Sequence, residues 1–147
     1  MANFIASNGS TDPGVDLVTT NKIGIGTTNP ATHLDVNGCV ALRAYTPETT
    51  GDVNDFNTGD HSVLRMSFDG PAGISGLTGG TDGRMLMLIN VSPHQTFWLI
   101  DQTRSKSSTQ ENRIIIPHGG PWPVEPNRTV MLWYDAVDLR WRVVSMR

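Results

Sequence analysis

The chain has 147 residues, 15 of them glycine, 9 proline and one cysteine, and a formal net charge of −3. That length holds one ordinary domain plus an arm. A single cysteine excludes an intrachain disulfide and a cysteine-built metal site. No basic stripe with interleaved aromatics occurs, so nucleic-acid binding is not expected. The charge is uneven: residues 1–60 hold Lys22 and Arg43 against seven acids, and residues 101–147 hold seven bases against five. No dozen-residue window shows a helical i, i+3, i+4, i+7 stripe, and no heptads appear, so the expected class is all-β and a coiled coil is not.

Residues 1–20 are polar and turn-rich, with small apolar knots at Phe4-Ile5 and Val15–Val18. Alone such a segment lacks a core; it is expected to order only against a partner, as an anchoring arm. Its start lacks a basic region followed by a long apolar core, and no apolar run approaches a membrane span. The expectation is a chain that folds in a cytoplasm, without a membrane partner.

The stretch Asn21–Gly38 organises the rest of the chain. Ile23 and Ile25 alternate with Gly24 and Gly26, which puts both branched side chains on one face and leaves the other open to a close backbone. Thr28-Asn29-Pro30 turns the chain, and Leu34 and Val36 then alternate with His33, Asp35 and Asn37. Two half-strands with two aliphatics each cannot close a core, so Ile23, Ile25, Leu34 and Val36 are expected at an interface between copies. A nucleotide-loop reading of Gly-x-Gly fails, because Pro30 and a second alternating segment stand where a helix should begin.

The string Ile23-Gly-Ile-Gly-Thr-Thr-Asn-Pro-Ala-Thr-His-Leu-Asp-Val-Asn-Gly38 resembles a motif that recurs in bacteriophage tail fibres and related virion appendages. The resemblance covers roughly eighteen residues; it implies a β-rich body after a junction, a homotrimer, and a place in the virion, assembled in the host cytoplasm. Its partners would be further copies and other virion proteins, the capsid protein foremost, with a host surface glycan as the other candidate. A capsid decoration or head-fibre role is favoured over a tail-fibre tip, since 147 residues leave no length for a shaft.

Val40–Tyr45 reads as a strand, so the junction is placed at 21–45. Residues 46–62, with Pro47, Gly51 and Gly59 among acids and amides, read as a linker loop. Asp52, Asn54 and Asp55 invite a calcium reading, but Phe56 and Val63 occupy positions where an EF-hand needs oxygen ligands. From 63 to 147 short strands succeed one another at Val63–Phe68, Gly73–Leu77, Arg84–Asn90, Phe97–Ile100, Arg113–Ile116, Val130–Tyr134 and Leu139–Val144. This spacing predicts a β-sandwich of jelly-roll type. Arg84–Asn90 is apolar on both faces and is expected to be a central strand, Phe97–Ile100 another and Arg113–Ile116 a third buried one. Asp82-Gly83 is read as a hairpin signal before Arg84, and Asp135–Asp138 is expected to join the last two strands as a hairpin.

The chemical inventory is thin. His33, His61, His94 and His118 are scattered, no Gly-x-Ser-x-Gly elbow exists, and nothing orients Cys39. The chain is therefore read as neither an enzyme nor a carrier of a metal or cofactor. One surface element remains, His118–Pro126, where Pro121 and Pro123 stiffen the chain on either side of Trp122. Trp122, Pro121, Pro123 and His118 form the candidate recognition loop, with a structural role for Trp122 at the sandwich end or trimer seam as the other reading.

Overall fold

The computed structural model describes residues 22–49, 51–105 and 107–145, which fall into two units divided between Ala41 and Leu42. The expected anchoring arm, residues 1–20, lies outside the described residues. All regular elements among those described are β-strands, apart from one 3₁₀ turn at Gln110–Asn112.

In the first unit, β1 (Ile23–Ile25) and β2 (Leu34–Val36) pair in parallel, with Ile23 opposite Leu34 and Ile25 opposite Val36. Parallel strands usually need a crossover of about a dozen residues or more. Here the link is residues 26–33, and local hydrogen bonds brace it. Lys22 Nζ donates to the carbonyls of Pro30 and Ala31 at 3.0 and 2.9 Å, and Asp35 accepts from the Ala31 N–H at 2.7 Å. Gly26 sits at φ +71°, and a Cβ there would stand 2.8 Å from the Asn37 carbonyl oxygen. The glycine face thus does admit a close backbone, that of the motif itself.

The second unit begins before the expected boundary at 45. β3 (Ala44–Tyr45) belongs to a six-stranded sheet completed by β4 (Val63–Met66), β6 (Met85–Asn90), β10 (Thr129–Asp135), β11 (Arg140–Ser145) and β8 (Ile114–Ile115). A three-stranded sheet holds β5 (Ala72–Ile74), β7 (Phe97–Leu99) and β9 (Trp122–Val124) in that order. β10 and β11 pair antiparallel as the Asp135–Asp138 turn predicts, and β6 pairs antiparallel with β10. The hairpin expected at Asp82-Gly83 does not form, because β5 and β6 lie in different sheets. The pairs β3 with β4, β4 with β6, β8 with β11 and β5 with β7 run parallel. A jelly roll is built of antiparallel Greek keys, so that detail of the expected topology is corrected. Parallel pairing is not visible in strand composition, because it depends on which way each connection crosses.

One apolar core is shared by both sheets. Leu64, Met66, Leu86, Leu88, Leu132 and Trp141 come from the larger, and Ala72, Ile74, Phe97, Leu99 and Val124 from the smaller. Buried polar groups join the two. The Asn90 amide at the end of β6 donates to the carbonyls of Gln95 and Val124 at 2.8 and 2.7 Å, and its oxygen accepts from the Ser92 N–H. Trp141 Nε1 donates to the Leu77 carbonyl at 2.8 Å. Each of these buried donors finds an acceptor, as a dry interior requires.

Residues 46–62 are not a free linker. Val53 bridges to Ile74 and Phe56 to Leu77, Phe56 and Thr58 are buried, and Phe56 joins the core. Arg84 holds the far end by donating to the carbonyls of Gly59 and His61 at 2.8 and 2.9 Å. The composition of this stretch is polar, yet one aromatic at the right register turns it into an edge segment of the fold.

Candidate functional site

The four aliphatics expected at an interface do share a surface. With Ile23 opposite Leu34 and Ile25 opposite Val36, period-two alternation sends all four to the same face of the β1–β2 ribbon. Ile25 is 55% and Leu34 60% exposed, while Ile23 and Val36 are half-buried.

The proline-rich element is placed differently from the loop expected. Trp122 and Pro123 lie in β9, with Trp122 opposite Leu99 and Pro123 opposite Trp98. Leu99 is buried, so its cross-strand neighbour Trp122 turns inward and packs, half-buried, against the core. His118 and Pro121 remain exposed, His118 at φ +74° in the turn before β9. Ile116, Pro117, His118, Gly120, Pro121 and Trp122 line a small depression of about 220 Å³.

The aromatic facing outward from this sheet is Trp98, which sequence reasoning assigned to a buried strand. Phe97 and Leu99 point into the core, which by alternation sends Trp98 out, between Gly73 on β5 and Pro123 on β9. Its side is bounded by Asp52, Pro71, Ile100 and Pro121 in an open depression of about 510 Å³. Pro121 borders both depressions. The missed signal was the buried–exposed–buried pattern of Phe97-Trp98-Leu99, hidden because all three residues are apolar.

A second exposed apolar surface lies on the outer face of the six-stranded sheet, where Met85, Met131, Trp133 and Val144 surround a hollow of about 210 Å³. β6 is central as expected, but only its Leu86, Leu88 and Asn90 side is fully buried.

Asp52, Asp55, Asp101 and Asp135 accept hydrogen bonds from the chain's own donors. Asp52 accepts from the Gly73 N–H at 2.7 Å, and Asp55 accepts from the Thr109 N–H and hydroxyl at 3.0 and 2.6 Å. Burial pushes the Asp55 carboxyl up, but the Thr109 and Asn112 hydrogen bonds outweigh it and hold the group below its ordinary value. Asp101, almost wholly buried, accepts from Thr103 N–H, Thr103 hydroxyl and Ile116 N–H at 3.0, 2.8 and 2.9 Å. There too burial raises the carboxyl and the hydrogen bonds overcome it. Asp135 is lowered chiefly by the hydrogen bond from Arg142 at 2.7 Å, inside the hairpin that also holds Asp138. Among the described residues, no three of His, Cys, Asp and Glu gather where they would hold a metal ion. No helix among them is long and apolar enough to cross a membrane.

Neither a family model, a curated protein nor a solved structure matches the chain.

Proposed function

We propose that the chain is a structural protein of a phage virion, a homotrimeric β-rich surface appendage of the capsid decoration or head-fibre kind. The observation that carries this reading is the ribbon face of Ile23, Ile25, Leu34 and Val36, with its two most exposed members open to solvent in the single chain. An apolar face of this kind, on a ribbon too small to hold a core, is stabilised when further copies cover it. The resemblance of residues 23–38 to the virion-appendage motif supplies the class, and the two sheets around one core suit the β-sandwich body such appendages carry. The apolar outer face around Met85, Met131 and Trp133 offers a second surface for copies or for the capsid protein. No catalytic role or cofactor is assigned to any residue.

Particles assembled with a tagged copy test the reading. Mass spectrometry of purified particles, with a reconstruction showing threefold density on the head, is the expected result. Particles that exclude the tagged chain would contradict it.

A second role, recognition of a surface glycan, is favoured by the solvent-facing Trp98 and the carboxylate beside it.

A further inference from the structure

We propose that Trp98, Asp52, Pro71 and Pro121 form a subsite for one pyranose ring of a neutral or N-acetylated glycan. The proposal rests on the glycan-recognition role above and is independent of the trimer. It moves the recognition surface from Trp122, which packs against the core, to Trp98 on the adjacent strand, which faces the other way.

A pyranose has an apolar C–H face and a rim of hydroxyls. The first needs a rigid flat apolar surface, the second a fixed acceptor at its edge. Trp98 supplies the surface: it is 39% exposed and its backbone is held in the middle strand of the small sheet. Its outward neighbours bear no mobile side chains, since Gly73 has none and Pro123 is cyclic. An aromatic with two side-chain torsions, fixed in a strand, loses little conformational freedom on binding.

Gly73 sets the shape of the floor. A Cβ at this position would stand 3.2 Å from Asp52 Oδ1 and 3.3 Å from Ile100 Cδ1, so a larger residue would fill the space between the indole and the carboxylate. Asp52 supplies the acceptor. Its Oδ1 is fixed by the Gly73 N–H at 2.7 Å, and its Oδ2 has no hydrogen-bond partner among the described residues. A carboxylate held this way accepts a sugar hydroxyl as a charge-assisted bond.

Charge selects the sugar. Among the described residues lining the depression there is no Lys, Arg or His, and Asp52 is the one charged side chain. An anionic sugar would meet an uncompensated carboxylate, so sialic and uronic acids are disfavoured. The depression of about 510 Å³ lies in the range of small-ligand clefts, roughly 300–1,000 Å³, while its open form predicts weak binding per copy, gained back by several copies on one particle.

The test is a printed array of neutral, N-acetylated and acidic oligosaccharides probed with the full chain, Trp98→Ala, Trp98→Phe and Asp52→Asn. At least one neutral or N-acetylated glycan should be retained by the unsubstituted chain. Trp98→Ala should weaken that glycan by about tenfold or more, Trp98→Phe should keep most of the binding, and Asp52→Asn should lose part of it. A circular dichroism melt of each variant accompanies the array, and the exposed Trp98 predicts unchanged melting. Retention of a glycan equally by Trp98→Ala would overturn the subsite while leaving glycan recognition in place. Retention of acidic glycans alone would overturn the neutral-sugar subsite while leaving glycan recognition in place, and retention of none would overturn both.

Discussion

Gly80 lies against the ring of Tyr134: a Cβ at position 80 would overlap Tyr134 Cε2, Cδ2 and Cζ. Tyr134 is buried on β10 and meets Trp141 edge-on at 5.2 Å between ring centroids. The turn at 78–83 is therefore part of the packing at this end of the core, and the glycine is a steric requirement rather than a conformational one. Gly80→Ala should cost about 1–3 kcal/mol of stability, as overpacking does. Urea unfolding measures it, and the cost should shrink when Tyr134 is also reduced to Ala, because the two sites are coupled. A Gly80→Ala chain as stable as the original would refute the contact.

Phe56 decides whether residues 46–62 are linker or fold. Buried and bridged to Leu77, it should cost about 3–5 kcal/mol when replaced by Ala. Substitution in a solvated linker would instead stay within about 0.5 kcal/mol. Equilibrium unfolding of Phe56→Ala separates the two.

Phe56 also shows where the sequence stopped speaking. Strands with clear alternation or turn chemistry were legible: Val63–Met66, Met85–Asn90 and the Thr129–Ser145 hairpin fall where period and turn residues placed them. A lone aromatic inside a polar loop carries no period, so its burial was invisible. Parallel partners were equally hidden, since a strand's composition does not say which neighbour it finds. The tryptophans were exchanged for a related reason. Pro121 and Pro123 suggested a loop around Trp122, but β9 tolerates Pro123 because it is an edge strand, whose outward side needs no ladder hydrogen bond. Trp98, flanked by Phe97 and Leu99, read as core until the register showed it facing out.

The two tryptophans should separate in stability measurements. Trp122→Ala removes a side chain packed against the core and should lower stability by about 1–3 kcal/mol, whereas Trp98→Ala should change it by about 0.5 kcal/mol or less. Thermal or urea unfolding of both variants checks this, and equal losses would contradict the placement.

Asp101 ties stability to acid pH. Its folded-state carboxyl lies below the ordinary 3.8, held there by the Thr103 and Ile116 hydrogen bonds against the opposing effect of burial. A depressed folded value means that the contribution is fully present above the unfolded value and is lost as pH falls through the folded one. Stability should therefore decline below about pH 4–5. In Asp101→Asn the amide nitrogen would face a backbone N–H, which should cost about 1–3 kcal/mol at neutral pH and flatten the acid decline. Asp55 and Asp135 are shifted the same way, so the slope should fall without vanishing. Unfolding curves from pH 3 to 7, the window around that ordinary value, read both effects. An unchanged acid slope in Asp101→Asn would remove the group from the account.

Sedimentation equilibrium on the full chain tests the homotrimer most directly. The expected result is a species of three chains of 16.0 kDa each, and a folded monomer when Ile25 and Leu34 are both replaced by Asp, with the β-sheet circular dichroism of the body retained. A folded monomer of the unsubstituted chain at micromolar concentration, or a trimer that survives both substitutions, would contradict it.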